Sequence, residues 1–165
     1  MIPWMSRPPE EKALLNPSFC SCLLWHAAAE YSITANAPLP FDIAFLVLPM
    51  VLHRQTRESL PKAVTTSLAV WLNDNPLSRS HVADRARTLV PFTKDAMMFG
   101  GVHGLFELKD GTVVVNSEWK KSIAASLKDS TDEVRICAKR AEFIGKWFAK
   151  TGSPSTIMAI LGVRP

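Results

Sequence analysis

The most apolar segment of the chain runs from Phe41 to Leu52 and carries a single charge, Asp42. A helix that crosses a membrane needs about 20 apolar residues, so a segment of this length is typical of a buried core helix. Pro49 lies inside it, and because proline removes a backbone donor and clashes with the preceding turn, we expect a break near residues 45–49. A helix that is apolar on every side is buried on every side, which places this segment at the centre of the domain.

The composition predicts one soluble domain in a reducing compartment. With 165 residues, 47% of them apolar, the chain can bury a substantial core. Its net charge of +4 would permit contact with nucleic acid or an acidic partner but is too small to predict either. The three cysteines are an odd number, which argues against a set of disulfides, and no second pair of metal ligands accompanies them. We therefore expect buried reduced thiols. Because the N-terminal residues lack the basic start and apolar run of a signal peptide, we expect a cytoplasmic protein without membrane contact.

The apolar periodicity predicts a mainly α fold with one β-hairpin. We expect residues 1–15 to form an extended N-terminal arm. Residues 16–165 then form a single compact helical domain, with the hairpin at about residues 105–116. Asn16 and Pro17 make a typical helix start, and an amphipathic helix follows them. The helices are expected at about residues 17–32, 61–73, 79–90, 92–99, 117–128, 131–151 and 154–161.

The hairpin is predicted by the dipeptide Asp110-Gly111, which lies between two segments of alternating polarity. A type I′ turn needs positive φ at both central residues, and Asp-Gly is a favoured pair for it. The turn also sets the register of the strands. The expected pairs are Phe106 with Val115 and Leu108 with Val113 on a packed face, and Glu107 with Val114 and Lys109 with Thr112 on a largely exposed face.

Two helical segments interrupted at Pro91 and followed by the hairpin have the order of a winged helix-turn-helix, so we expect a winged-helix-like centre. A helix that reads DNA shows a dense basic face with Asn, Gln or Arg side chains for the bases. The segment TKDAMMFGG (residues 93–101) is instead apolar and nearly neutral. A winged-helix shape used for protein contacts therefore fits better than one that reads sequence.

The sequence contains no motif that indicates catalysis. The four histidines lack the spacing of metal ligands, and no glycine-rich loop for nucleotide phosphates is present. His26 falls inside the first predicted helix, where a buried and satisfied histidine is expected. No carboxylate pair is spaced for acid–base chemistry, and no local signature supports a cysteine nucleophile. We therefore expect a protein that is not an enzyme and that holds neither a metal nor a cofactor.

A polar cluster, His53, Arg54, Arg57 and Glu58, directly follows the apolar segment. One explanation is structural: cationic side chains stabilise the exposed carbonyls at a helix C-terminus, and Arg57 pairs with Glu58. The other explanation is functional: the cluster is a rigidly held docking patch for acidic groups of a partner. The sequence leaves both explanations open.

Four segments of the chain resemble one protein family. They are RPPEEKALLNPSFCSCLL (residues 7–24), LPFDIAFLVLPMVLHRQTRESLP (39–61), ARTLVPFTKDAMMFGGVHGLFEL (86–108) and TIMAILGVRP (156–165). The chain resembles the small middle component of bacterial three-component ABC systems, in particular the accessory subunit of Lamassu-type anti-phage defence operons. The resemblance extends over nearly the whole chain, and it supplies no catalytic residues.

The resemblance implies a non-catalytic subunit of a hetero-oligomer. It would bridge an SMC-like ABC ATPase, which senses DNA, and an effector, often a nuclease, and help to keep the effector inactive. DNA is then bound by the complex rather than by this chain alone. The alternative is a free-standing winged-helix DNA-binding regulator that uses residues 79–116. The expected contact surfaces are the polar cluster and the hairpin with its neighbouring helix. Candidate partner-binding residues are His53, Arg54, Arg57, Glu58, Arg85, Arg87, Phe106 and Lys109.

Overall fold

The computed structural model describes residues 3–164, which form ten α-helices around one core and an antiparallel sheet of three short strands. The helices are α1 (Pro9–Leu14), α2 (Pro17–Ala35), α3 (Phe41–Ala44), α4 (Val47–Val51), α5 (Arg54–Ser59), α6 (Leu68–Asp74), α7 (Ser78–Val102), α8 (Lys120–Lys128), α9 (Asp132–Thr151) and α10 (Pro154–Leu161). The strands are β1 (Leu39–Pro40), β2 (Phe106–Lys109) and β3 (Thr112–Val115), and short 3-10 helices cover Trp4–Ser6 and Ser117–Trp119. The prediction of a mainly α, single compact domain is confirmed.

The axis of the fold is α2, which packs along both α9 and α7. Asn16 caps it: the Oδ1 atom accepts hydrogen bonds from the backbone N–H groups of Ser18 (2.8 Å) and Phe19 (3.3 Å), and Pro17 occupies the first helical position, as predicted. The prediction that this helix is amphipathic is wrong. Six consecutive residues, 23–28, are buried, so the middle of α2 is covered on every side.

The contact between α2 and α9 requires a residue without a side chain. Gly145 of α9 lies against the backbone of Ala27, and a Cβ atom added at Gly145 would overlap the carbonyl oxygen of Ala27. Around this point the apolar face of α9 is buried, including Ala141, Ile144 and Phe148. The two helices therefore approach more closely than side chains would allow.

The apolar segment that follows α2 is buried in the core, as predicted. All five residues of α4 are buried. The segment is not one helix, because α3 ends at Ala44 and α4 begins at Val47, which confirms the expected break. Pro49 is the third residue of α4, a position at which the backbone N–H has no helical acceptor and proline loses no hydrogen bond.

The helix α7 differs from the prediction, because residues 78–102 form one continuous helix with Pro91 inside it. Proline in a helix interior costs about 3 kcal/mol, whereas complete burial of a side chain such as Val or Met is worth about 1.5–3 kcal/mol. Val82 before Pro91 and Met97 after it are both buried, so tertiary packing offsets the cost. The expected break is wrong, and the helix–break–helix order that suggested a winged helix is absent from residues 78–102.

The hairpin has the predicted turn and register. Asp110 and Gly111 have φ values of 49° and 72°, and all four expected pairs between β2 and β3 occur. β1 was not predicted; it pairs with β3, so that the strand order is β1–β3–β2. A strand of two residues is too short to show a periodicity of two. Leu108, which was expected on the packed face, is 46% exposed.

The N-terminal segment is helical rather than extended. Residues 3–15 contain a 3-10 helix and α1, and residues 1 and 2 lie outside the described residues. Arg7 connects this segment to the body of the protein, since its guanidinium lies over the ring of Phe92 in α7 at 4.5 Å and over that of Trp4 at 5.4 Å. The predicted arm is therefore a folded part of the surface.

The helix expected at about residues 61–73 begins later, at Leu68, where the Ser67 hydroxyl caps it. The preceding residues form a loop whose carbonyl groups accept hydrogen bonds from side chains of α9. Arg140 Nη1 donates to the oxygen of Pro61 at 3.0 Å, and Trp147 Nε1 donates to that of Thr66 at 2.6 Å. These donors from α9 bind the carbonyl groups that a helix would otherwise pair internally, and they stabilise the segment as a loop.

Two glycine substitutions test the close approach of α2 and α9. We expect Gly145→Ala to lower the free energy of unfolding by about 1–3 kcal/mol, because the added methyl group overlaps the backbone of α2. Gly101→Ala is the matched control, since a Cβ atom there meets nothing within 4 Å and alanine favours a helix. Urea denaturation measures both. A Gly145→Ala protein as stable as the control would contradict the assigned contact.

Candidate partner-binding surfaces

Two of the predicted partner-binding arginines are directed into the protein. Arg57 of α5 is 3% exposed; its Nη1 donates to the carbonyl oxygen of Val51 at 2.7 Å, and its Nη2 donates to the carboxylate of Glu133 in α9. Arg85 of α7 is half-buried, and its Nε donates to the carbonyl oxygen of Pro49 at 3.0 Å. The last carbonyl groups of a helix lack helical partners. Both arginines therefore stabilise the C-terminal end of α4, in agreement with the structural explanation of the cluster.

His53 caps α5 through its imidazole ring. The Nδ1 atom accepts a hydrogen bond from the N–H of Thr56 at 3.3 Å and lies 3.0 Å from the Thr56 hydroxyl, which itself accepts from Arg85 Nη2 at 2.7 Å. Because Nδ1 accepts from the Thr56 N–H, it carries no proton, and the Thr56 hydroxyl is therefore the donor in its contact with Nδ1. Burial, and then the nearby positive charges of Arg85, His81 and Arg57, lower the pKa of His53. The network thus favours a neutral imidazole.

The remaining charged residues of the prediction around α5 and α7 are exposed. Arg54 Nε and Glu58 Oε1 form an ion pair at 2.7 Å, and the hydrogen bond from Arg54 lowers the pKa of Glu58. The expected pair between Arg57 and Glu58 is therefore wrong. Arg87 pairs with Asp84 of its own helix at 2.8 Å. Exposed ion pairs of this kind contribute little to stability. Because the side chains are exposed, their charges are accessible to a partner.

The two predicted hairpin residues have different environments. Phe106 is 3% exposed and its ring lies on Gly100 of α7, where an added Cβ atom would overlap it. Phe106 is therefore a core residue that attaches the hairpin to α7. Lys109, next to the turn, is exposed.

Beside the hairpin lies an exposed apolar surface whose residues were missed. Met98 and Val102 of α7 are 69% and 81% exposed, and together with Leu108 of β2 they line one hollow of about 730 Å³. We call these three residues the α7–hairpin surface. Clustered exposed apolar side chains mark interaction sites. The four-residue spacing of Met98 and Val102 is typical of a shared helix face. Val102 was missed because the helix was expected to end before it. Leu108 was missed because it was assigned to the packed face of the hairpin.

Among residues 3–164 the structure shows neither a cluster of metal ligands nor a cysteine whose thiolate is favoured. No cluster of three or more histidine, cysteine, aspartate or glutamate side chains within them is arranged to hold a metal ion. Burial raises the pKa of each cysteine thiol, that of Cys20 to about 12, so the reactive thiolate is disfavoured at Cys20, Cys22 and Cys137. None of the described helices has the length and apolar content needed to cross a membrane.

The internal role of Arg57 is tested against its exposed neighbour. We expect Arg57→Met to lower the free energy of unfolding by about 1–3 kcal/mol, because the buried carbonyl of Val51 loses its donor. Arg54→Met, the same change on an exposed side chain of the same helix, should leave the urea midpoint unchanged. Equal losses in the two variants would show that Arg57 does not stabilise α4.

The His53 network predicts a dependence of stability on pH. The folded-state pKa of His53 lies below the value of about 6.5 for an unfolded histidine, so on acidification the unfolded chain binds the proton first. The stabilising contribution is therefore complete above about pH 6.5 and is lost as the pH falls below that value. We expect His53→Asn, whose amide oxygen caps α5 without titrating, to reduce the loss of stability between pH 7.5 and pH 5.5. An identical loss in both proteins, measured by urea denaturation, would exclude His53 as its source.

Comparison with known proteins identifies a family. The sequence model of the ABC-three component (ABC-3C) system Middle Component 3 family matches residues 4–165. No curated protein and no solved structure matches the chain. The match covers almost the full length and agrees with the resemblance of the four sequence segments to middle components. The chain therefore belongs to the Middle Component 3 family of ABC-three component systems.

Proposed function

We propose that the chain is a non-catalytic accessory subunit that bridges an SMC-like ABC ATPase and an effector in a Lamassu-type anti-phage defence complex. Membership of a middle-component family supports a role within an assembly of several subunits. The observation that carries the proposal is the α7–hairpin surface, where three large apolar side chains are exposed to solvent instead of being packed in the core. Burial of such side chains by a partner is favourable in proportion to the apolar area removed from water.

The α7–hairpin surface rests on a rigid base. The N–H of Leu105 donates to the carbonyl oxygen of Gly100 at 2.8 Å, which fixes the chain where it leaves α7. The carbonyl oxygen of Gly104 accepts from Asn116 Nδ2 at 3.1 Å and from Trp119 Nε1 at 2.9 Å. A partner that binds here does not have to order this part of the backbone, so less binding energy is lost to conformational entropy.

A bridge needs a second surface for its second partner. We assign this role to the exposed charges of Arg54 and Glu58 on α5 and of Arg87 on α7. Charged residues of this kind orient a partner and raise its association rate more than they raise its affinity. Lys109, next to the turn, adds an exposed charge on the opposite face of the strand from Leu108. The ATPase and the effector would then bind through different chemistry.

Co-expression of the tagged chain with its operon neighbours, followed by pull-down and mass photometry, tests the proposal. We expect Val102→Glu combined with Leu108→Glu to release one neighbour and retain the other, because two charges replace exposed apolar contacts. Ile33→Glu combined with Ile136→Glu is the matched control, since these isoleucines are 72% and 47% exposed on other helices. Arg54→Glu combined with Arg87→Glu should release the second neighbour.

A different outcome would overturn the proposal. If the purified chain binds neither neighbour but binds duplex DNA alone, with an affinity that falls steeply as salt is raised, it acts as a DNA-binding regulator. If the control variant releases a neighbour as readily as the variant of the α7–hairpin surface, that surface is not the contact.

A further inference from the structure

The strand β2 lies at an edge of the sheet, because the strand order is β1–β3–β2. In an antiparallel pair, residues whose backbone groups bond to the neighbouring strand alternate with residues whose groups point away from it. The N–H of Asn116 donates to the carbonyl oxygen of Leu105 at 2.9 Å, so this pair is a bonded one. By the alternation, the next bonded residues of the hairpin strand are Glu107 and Lys109. The N–H and C=O groups of Leu108 therefore point away from β3.

These backbone groups of Leu108 have no hydrogen-bond partner within residues 3–164. Leu108 is exposed, and so are Glu107 and Lys109 on either side of it. An edge strand whose N–H and C=O groups are unpaired is a template on which a strand of another chain can pair. The segment from Glu107 to Lys109 is therefore open to an added strand.

The charges of this segment are complementary to those of a second copy of the same segment. When two β2 strands are placed antiparallel with Leu108 opposite the partner's Leu108, Glu107 lies opposite the partner's Lys109. By symmetry, Lys109 lies opposite the partner's Glu107. Opposite charges directly across two strands stabilise the pairing, whereas like charges destabilise it. Neither side chain forms an ion pair within residues 3–164, so both charges are available to a second copy.

The same arrangement brings apolar side chains together. Successive side chains of a strand point to opposite faces, so Leu108 lies on the other face of β2 from Glu107 and Lys109. On that side chain's hollow also lie Met98 and Val102 of α7, and all three are exposed. A two-fold axis through the Leu108 pair gives each protomer the same contacts, which is the self-complementary interface of a homodimer.

We propose that the isolated chain forms a homodimer in which two β2 strands pair antiparallel, with Leu108 opposite the partner's Leu108. The contact is short, so the dimer is weak and reversible. It covers Leu108 of the α7–hairpin surface, and a neighbour that binds this surface has to displace the second copy. This competition rests on the proposed function, whereas the dimer itself does not.

Sedimentation equilibrium of the full chain, purified without its neighbours, tests the dimer. We expect Glu107→Lys and Lys109→Glu each to raise the dimer dissociation constant at least about tenfold, because each change places like charges opposite one another at both ends of the contact. An equimolar mixture of these two variants should form a heterodimer, since every cross-strand pair is then of opposite charge. Glu107→Lys combined with Lys109→Glu in one chain should restore the homodimer for the same reason.

A matched control and two contrary outcomes complete the test. Lys128→Glu makes the same charge change on an exposed lysine of α8 and should leave the dissociation constant unchanged. An unaltered chain that stays monomeric, or a mixture of the two single variants that associates no more than either alone, would overturn the dimer. Neither result bears on the proposed function, which fails instead if the variant of the α7–hairpin surface retains both neighbours in the pull-down.

Discussion

The backbone contact between α2 and α9 is the constraint on which the rest of the architecture depends. Gly145 brings the two helices so close that the intervening layer is backbone rather than side chain. With α7 packed along α2 as well, the middle of α2 has no free side, which explains a run of six buried residues in a helix that would otherwise be amphipathic. The apolar α4 then fills the space that these three helices leave.

Features of the fold that depend on neighbouring residues were predictable from the sequence. The cap at Asn16, the turn at Asp110-Gly111 and the break at residues 45–46, shortly before Pro49, each follow from a few adjacent positions. The errors in the predicted helices arise where contacts with residues far along the chain decide whether a segment is helical. Pro91 remains helical because its helix is buried on both sides of it, and residues 61–67 remain a loop because side chains of α9 bond to their carbonyl groups. Local propensity carries no information about partners that lie so far along the chain.

The candidate surfaces were less predictable than the fold, since exposure depends on tertiary packing. Arg54 and Arg57 are three residues apart in one polar cluster, yet the first is exposed and the second is enclosed by the end of α4. The sequence indicated the cluster and the hairpin region but not which members of each reach solvent. The exposed apolar face formed by Met98 and Val102 was missed because α7 was expected to end before Val102.

The distance along the chain between α2 and its principal neighbour also has a consequence for biosynthesis. His26 and Glu142 are separated by 116 positions, and ribosomes add about 5–20 residues per second, so α2 precedes α9 by about 6–23 s. During that interval the emerging chain presents an apolar helix whose covering surface has not yet been translated. Nascent chains of this protein are therefore expected to engage chaperones early, and the domain closes only when its last third has left the exit tunnel.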